Sequence, residues 1–150
     1  VAVSDPKPVE SGEFAGWLTW GDDPYEKTNG PFVFRKEPDG TVRCAMRVET
    51  RHCNGGGAAH GGLLMTFADF CLFAVAREAL GAHGAVTVSC TSQFLGPALP
   101  GDLLQATGHV ARAGKGLIFV NVLMGVEGRP VLSVSGIIKN LKSARAPAAS

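Results

Sequence analysis

Apolar and polar positions alternate in different rhythms along the chain, and each rhythm predicts an element. Phe32 to Lys36 and Thr41 to Thr50 have strand character. They are joined by Glu37-Pro-Asp-Gly40, where proline and glycine occupy turn positions they favour, so a β-hairpin is predicted. From Gly62 to Leu80 no proline or internal glycine interrupts the run, and Gly81 supplies a C-terminal stop. At 3.6 residues per turn this is a helix of about five turns. Its apolar residues run almost all the way round until Arg77 and Glu78, so it must be enclosed by other elements. Beyond it, Val86, Val88, Cys90, Ser92 and Phe94 alternate with Thr87, Ser89, Thr91 and Gln93, the period-two pattern of a strand with one buried face. Leu103 to Arg112, Leu117 to Val126 and Val131 to Lys139 read as three further strands, separated by turns at Ala113-Gly-Lys-Gly116 and Glu127-Gly-Arg-Pro130. The order ββαββββ predicts a single α+β domain, in which a curved antiparallel meander wraps one long central helix.

The ends carry weaker signals. Residues 1–30 read as an N-terminal extension, with a short helix predicted from Glu13 to Trp20 that puts Phe14, Trp17 and Leu18 on one face and stops near Gly21 and Pro24. Residues 1–12 and the tail 144–150 are expected to be frayed or packed on a partner. With 150 residues, one core is the natural limit, and 45% apolar against 18% charged residues describes a folded chain. A net charge of +1 supplies no basic field for nucleic acid or a membrane surface, so neither partner is expected. The apolar run Leu63 to Ala76 is too short to span a bilayer, and the opening residues lack a signal-peptide pattern. Four cysteines without a C-x-x-C pair argue against a disulfide framework or a metal site and favour a reducing cytoplasm.

Candidate chemistry is concentrated where the glycine-rich segment Asn54-Gly-Gly-Gly-Ala-Ala-His60-Gly61-Gly62 enters the helix. Glycines permit close approach by a ligand, and the first amides of a helix lack internal partners and lie at the positive end of its dipole. The amides near Gly61 and Gly62 therefore suit an oxyanion. The competing reading is a glycine loop that only turns the chain, with His60 as a helix cap. Asp69 is the one residue charged at neutral pH between Leu63 and Ala76. On an enclosed helix an unpaired carboxylate is costly, and desolvation moves an acid toward the range of a general base. A structural Asp paired with an arginine or backbone amides is the alternative. Gly61 and Asp69 are eight residues apart, about 12 Å along a helix, too far to meet one carbonyl carbon. Cooperation between them requires a second copy of the chain, its helix antiparallel across a two-fold axis.

Asn54, the His60-Gly61-Gly62 triplet, Asp69 after six intervening residues, the Val86-Thr-Val-Ser strand and the Gly96-Pro-Ala-Leu-Pro-Gly-Asp102 turn together resemble the hotdog-fold thioesterases of the phenylacetate-pathway (PaaI-like) type, over roughly residues 30–142. The resemblance implies hydrolysis of acyl-CoA thioesters without a cofactor, coenzyme A being part of the substrate. It implies that the Gly61 amide and the Asn54 side chain polarise the thioester carbonyl, while Asp69 acts from the opposite subunit as general base or nucleophile. Thr87 stands where the family usually has a serine that helps place the attacking water. The coenzyme phosphates are expected near Arg112, Gly114, Lys115, Lys139 and Asn140, Gly62 is expected to contact the coenzyme, and the assembly is expected to be a homodimer or a dimer of dimers. Without the resemblance, Arg112 and Lys115 read as a solvated turn.

Other chemistries fit poorly. There is no G-x-S-x-G elbow, and Gly114-Lys115-Gly116 is neither a P-loop nor a dinucleotide fingerprint. His52-Cys53 reads as structural, since neighbours on a strand point to opposite faces; His83 and His109 read as surface or sheet residues. A non-catalytic acyl-CoA sensor is the alternative function, because it keeps the groove but needs no carboxylate at Asp69.

Overall fold

In the computed structural model, which describes residues 4–82 and 84–141, the long apolar run forms the centre around which everything else is arranged. The elements are β1 (Lys7–Pro8), β2 (Leu18–Thr19), α1 (Pro24–Asn29), β3 (Val33–Lys36), β4 (Val42–Arg47), α2 (Gly61–Leu80), β5 (Gly84–Phe94), β6 (Leu103–Ala113), β7 (Leu117–Val126) and β8 (Arg129–Leu141), with a 3₁₀ turn at Thr50–His52. The tail 144–150 and His83 lie outside the described residues.

Helix α2 is as predicted, one residue longer at its start, and it ends where Gly81 adopts a positive φ of 63° and returns its N–H to the Arg77 carbonyl. It packs on β4, β5, β6, β7 and β8. Inward residues alternate along the strands: Leu104 and Ala106 on β6, Ile118, Val120, Val122 and Met124 on β7, Leu132, Val134 and Ile138 on β8. They close on Leu64, Phe67, Ala68, Cys71 and Leu72 of α2. Gly136 is the point of closest approach, since a Cβ there would lie 2.3 Å from Leu72 Cδ1. The Glu37–Gly40 turn joins β3 to β4 as expected, with Gly40 N–H donating to the Glu37 carbonyl at 2.9 Å. The curved antiparallel sheet enclosing one long helix is the hotdog architecture that the resemblance implies.

Three expectations are corrected. The strands are not a simple meander. The sheet order is β1-β2-β3-β4-β6-β7-β8-β5, so β5 crosses to the far edge and, among the described residues, pairs only with β8. The predicted helix at Glu13 to Trp20 is absent: that stretch turns and forms β2, and the helix is α1, capped by Asp23, whose side chain accepts the N–H groups of Tyr25 and Glu26, with Pro24 opening it. Asp-Pro is a helix start, because an N-cap acceptor followed by a residue with fixed φ suits the first turn. The described part of the extension is packed rather than frayed. β1 and β2 extend the sheet beyond β3, and Trp20 stacks on Phe34 (centroids 4.9 Å apart) and meets Phe70 edge-on at 5.3 Å.

Candidate functional site

The glycine-rich segment is an ordered turn with both ends tied. Cys53 bridges Ala59, Asn54 N–H donates to the Ala58 carbonyl at 2.8 Å, and Gly57 N–H to the Asn54 carbonyl at 3.0 Å. Ala59 N–H is held by the Ala98 carbonyl at 2.8 Å and His60 N–H by that of His52 at 2.8 Å. His52 is buried in the 3₁₀ turn rather than on a strand, its Nδ1 accepting the Glu49 N–H at 2.9 Å, which fits the structural role expected of it. Asn54 Oδ1 accepts from Gly56 N–H at 2.8 Å, so its carbonyl serves the turn and its amide nitrogen has no partner among the described residues.

His60 is the N-cap of α2: its Nδ1 accepts the Gly62 N–H at 2.9 Å. A side chain at 62 would press on that capping ring, a Cβ lying 3.0 Å from Nδ1. The Gly62 amide is occupied, whereas the Gly61 amide has no partner among the described residues. Of the two amides considered for an oxyanion, only Gly61 remains open at the positive end of the helix.

Asp69 departs from expectation. Within one chain it is exposed rather than enclosed, on a stripe of α2 with Gly62, Met65 and Phe73 that the sheet leaves partly uncovered beside β5. Its partner is Thr87 on β5, whose hydroxyl donates to Asp69 Oδ1 at 2.5 Å. Strict alternation puts Thr87 on the face opposite Cys90 and Ser92. A bulge between Thr87 and Ser89 breaks that phase, so Ala85 and Thr87 before it, and Cys90 and Ser92 after it, all turn toward the helix. Val86, Val88 and Phe94, expected on a buried face, are exposed, Val88 by 50% and Phe94 by 57%. Phe94 also reaches the helix start, its ring 3.4 Å from where a Gly61 Cβ would stand.

Two neighbouring cavities of about 400 and 350 Å³ border Asp69 and share Asp23, Glu26 and Phe70 as walls. The larger is completed by Trp20 and Phe73. Glu26 is the residue that the sequence reading missed. Burial first, then the nearby Asp23 and Asp69 charges, push its carboxyl up to about 7. Its only sequence signal is its place in the first turn of a helix whose start was misread.

The residues expected at the coenzyme phosphates assemble elsewhere. Arg112 lies one residue before the end of β6, Gly114 and Lys115 are in the β6–β7 turn, and Asn140 N–H donates to the Gly116 carbonyl at 3.0 Å, beside Lys139 paired with Leu117. Asn140 also reaches the Leu80 carbonyl at 3.4 Å, so this group stands at the C-terminal end of α2. Gly61 begins the same 20-residue helix, about 30 Å long, and Asp69 lies between. One chain thus holds three separate groups: Asn54, His60, Gly61 and Gly62; Asp69 with Thr87; and the basic hairpin.

A family model described as the thioesterase superfamily matches residues 56–132. A Pseudomonas aeruginosa protein named as a candidate esterase is 37% identical over 109 residues, covering 72% of this chain and 81% of that one. Human acyl-coenzyme A thioesterase 13 is 34% identical over 99 residues, 65% of this chain and 70% of the relative. Among solved structures, the Escherichia coli PaaI protein from the phenylacetic acid degradation operon superposes with a TM-score of 0.70 at 26% identity, over 83% of this chain and 89% of that chain.

Proposed function

The chain belongs to the thioesterase superfamily, and from that premise we propose that it hydrolyses acyl-CoA thioesters to the free acid and coenzyme A in a site shared between two copies. The observation that carries the reading is the Thr87–Asp69 hydrogen bond, which a bulge makes possible at the edge of a cavity large enough for an acyl group.

In this reading the thioester carbonyl lies against the Gly61 N–H and the Asn54 amide nitrogen, where negative charge developing on oxygen is stabilised by donors already in place. His60 fixes the turn by capping Gly62, which lends close approach rather than a free donor. Asp69 of the other copy acts as general base toward water or as nucleophile, with Thr87 orienting its carboxylate and the water. Arg112, Lys115 and Lys139 supply charge for phosphates, with Gly114 and Asn140 as close polar neighbours. No cofactor enters the reaction as written.

A second copy is supported by what one chain leaves open. Among the described residues β5 is a free sheet edge with Val86 and Val88 exposed, and the uncovered stripe of α2 runs beside it. Edge-to-edge pairing of two β5 strands sets two α2 helices antiparallel, bringing one copy's Asp69 and basic hairpin toward the other's Gly61. A dimer of dimers is the assembly the resemblance implies, and four free cysteines suit the cytoplasm. The aromatic walls Trp20, Phe70 and Phe73 favour small or aromatic acyl groups over long chains.

The test is thiol release from short, long and aryl acyl-CoA esters by the native protein and by Asp69→Asn, with oligomeric state checked for both. We expect hydrolysis that falls by about a hundredfold or more in the variant. Binding of acyl-CoA without thiol release by the native protein would shift the reading to a sensor; a preference for long fatty acyl groups would overturn the acyl assignment.

A further inference from the structure

The cavity beside Asp69 has a second carboxyl that the reaction described above does not use. Glu26 borders both cavities together with Asp69, and its backbone is fixed on either side. Its N–H donates to Asp23 Oδ1 at 2.9 Å and its carbonyl accepts from Gly30 N–H at 2.6 Å. The helix that carries it is clamped from outside by Arg51, which donates to the Thr28 carbonyl at 2.5 Å and to that of Gly30. The position of the Glu26 backbone is therefore set by the fold. Its Oε2 is shut off from water with no hydrogen-bond partner among the described residues, a costly position for a charged oxygen.

Among the described residues no cation pairs with it. Asp22 and Asp23 precede it, Asp69 stands on α2, and Tyr25 and Lys27 flank it on α1. Lys7 is paired with Asp22 at 2.8 Å, and Arg51 spends its donors on backbone carbonyls and Glu49. Trp20, Phe70 and Phe73 make the remaining wall apolar.

Resting on the thioesterase reading, we propose that Glu26 is the proton relay of Asp69, taking up the proton that each turnover leaves behind and releasing it to water at the cavity mouth. Hydrolysis forms a bond from the water oxygen to the carbonyl carbon and breaks the carbon–sulfur bond, whose electron pair leaves on sulfur. At neutral pH the products are an acyl carboxylate and a thiol. Of the two protons of water, one ends on sulfur and the other must depart, and Asp69, which first removes it, has to be cleared before the next cycle. A carboxyl titrating near 7 is matched to that task, since it accepts and gives up a proton with equal ease at neutral pH. Glu26 acts through Asp69 and is thus a positioning residue rather than one that touches substrate.

The experiment combines pH profiles with direct titration. kcat for the native protein should rise through about pH 7, and the ratio of native to Glu26→Gln kcat should grow about tenfold between pH 5.5 and pH 8. Glu26→Asp should restore a step at a shifted pH. Carbon-13 NMR of the glutamate carboxyls should place Glu26 near 7 in the native protein and lower in Asp69→Asn. Equal loss at every pH in Glu26→Gln, or a native-like step retained in it, overturns the relay. So does a Glu26 carbon that titrates at the ordinary 4.5 while hydrolysis proceeds, an outcome that leaves the thioesterase reading intact. No hydrolysis of any ester, with Glu26 still titrating near 7, removes the thioesterase reading and the relay with it.

Discussion

Replacing Glu26 by glutamine should stabilise the protein at pH 8 more than at pH 4. Burial, Asp23 and Asp69 raise the Glu26 carboxyl from 4.5 to about 7 in the folded chain. The native state therefore holds a proton that the unfolded chain has released between those values. The stability that goes with this proton is fully present below about pH 4.5, is lost as pH rises through 7, and stays lost above it. For a fully enclosed group the difference corresponds to about 3.4 kcal/mol. Glu26 keeps part of its surface in water, and screening reduces this to about 1–2 kcal/mol. Glutamine has nearly the same shape and does not ionise, so at pH 8 the variant should gain that amount, or about 3–6 °C in Tm for a chain of this size. Any fixed cost of seating the amide is the same at both pH values, so the readout is the change in the difference. Urea unfolding of both proteins at pH 4 and pH 8 measures it. An equal difference at the two pH values, or a larger gain at pH 4, would refute the claim that Glu26 is held protonated by its surroundings.

Three further outcomes follow from the geometry. Mixing Asp69→Asn with Asn54→Ala subunits by unfolding and refolding should recover about a quarter of native activity, since half the dimers are mixed and each keeps one intact site; no recovery would locate both residues in one chain's site. Thr87→Val removes the hydroxyl that donates to Asp69 and should lower kcat/KM by about tenfold or more, while Thr87→Ser stays near native; equal losses in the two would point to packing instead. Gly136→Ala drives a Cβ to 2.3 Å from Leu72 and should cost about 1–3 kcal/mol in urea unfolding, a cost that shrinks when Leu72 is already Ala. Full additivity of those two changes would show that Gly136 is not what brings α2 onto the sheet.

What the sequence made legible is what depends on neighbours along the chain. An uninterrupted apolar run with a terminal glycine can hardly be anything but α2, and the strand Leu117–Val126 is found at its predicted ends because both of its turns are local. The candidate residues Asn54, His60, Gly61, Gly62, Asp69 and Thr87 could be named from one segment and one strand. Their arrangement could not. Whether β5 lies beside β6 or crosses to β8 is decided by which edge is left for it once the β4–β6 pair has formed, and no residue of β5 announces that. That Glu26 borders the same cavities as Asp69 likewise comes from the tertiary fold, not from any spacing.

The bulge at Val88 shows why pattern alone misleads at a functional strand. The sequence from Val86 to Phe94 alternates so regularly that it predicts one buried face, yet the added residue reverses the phase and divides the strand. One consequence is that Thr87 turns inward and meets Asp69. The other is that Val86 and Val88 turn outward along an unpaired edge. A regular strand offers one or the other: the hydroxyl on the helix side with Cys90 and Ser92 facing away, or the reverse. The inserted residue thus keeps Thr87, Cys90 and Ser92 together on the helix side while Val86 and Val88 face outward, where a second copy is expected. Removing the bulge by deleting Val88 should disturb hydrolysis and dimer formation together. Were the dimer to persist unchanged while Thr87 lost its bond to Asp69, the two would be independent features that merely share a strand.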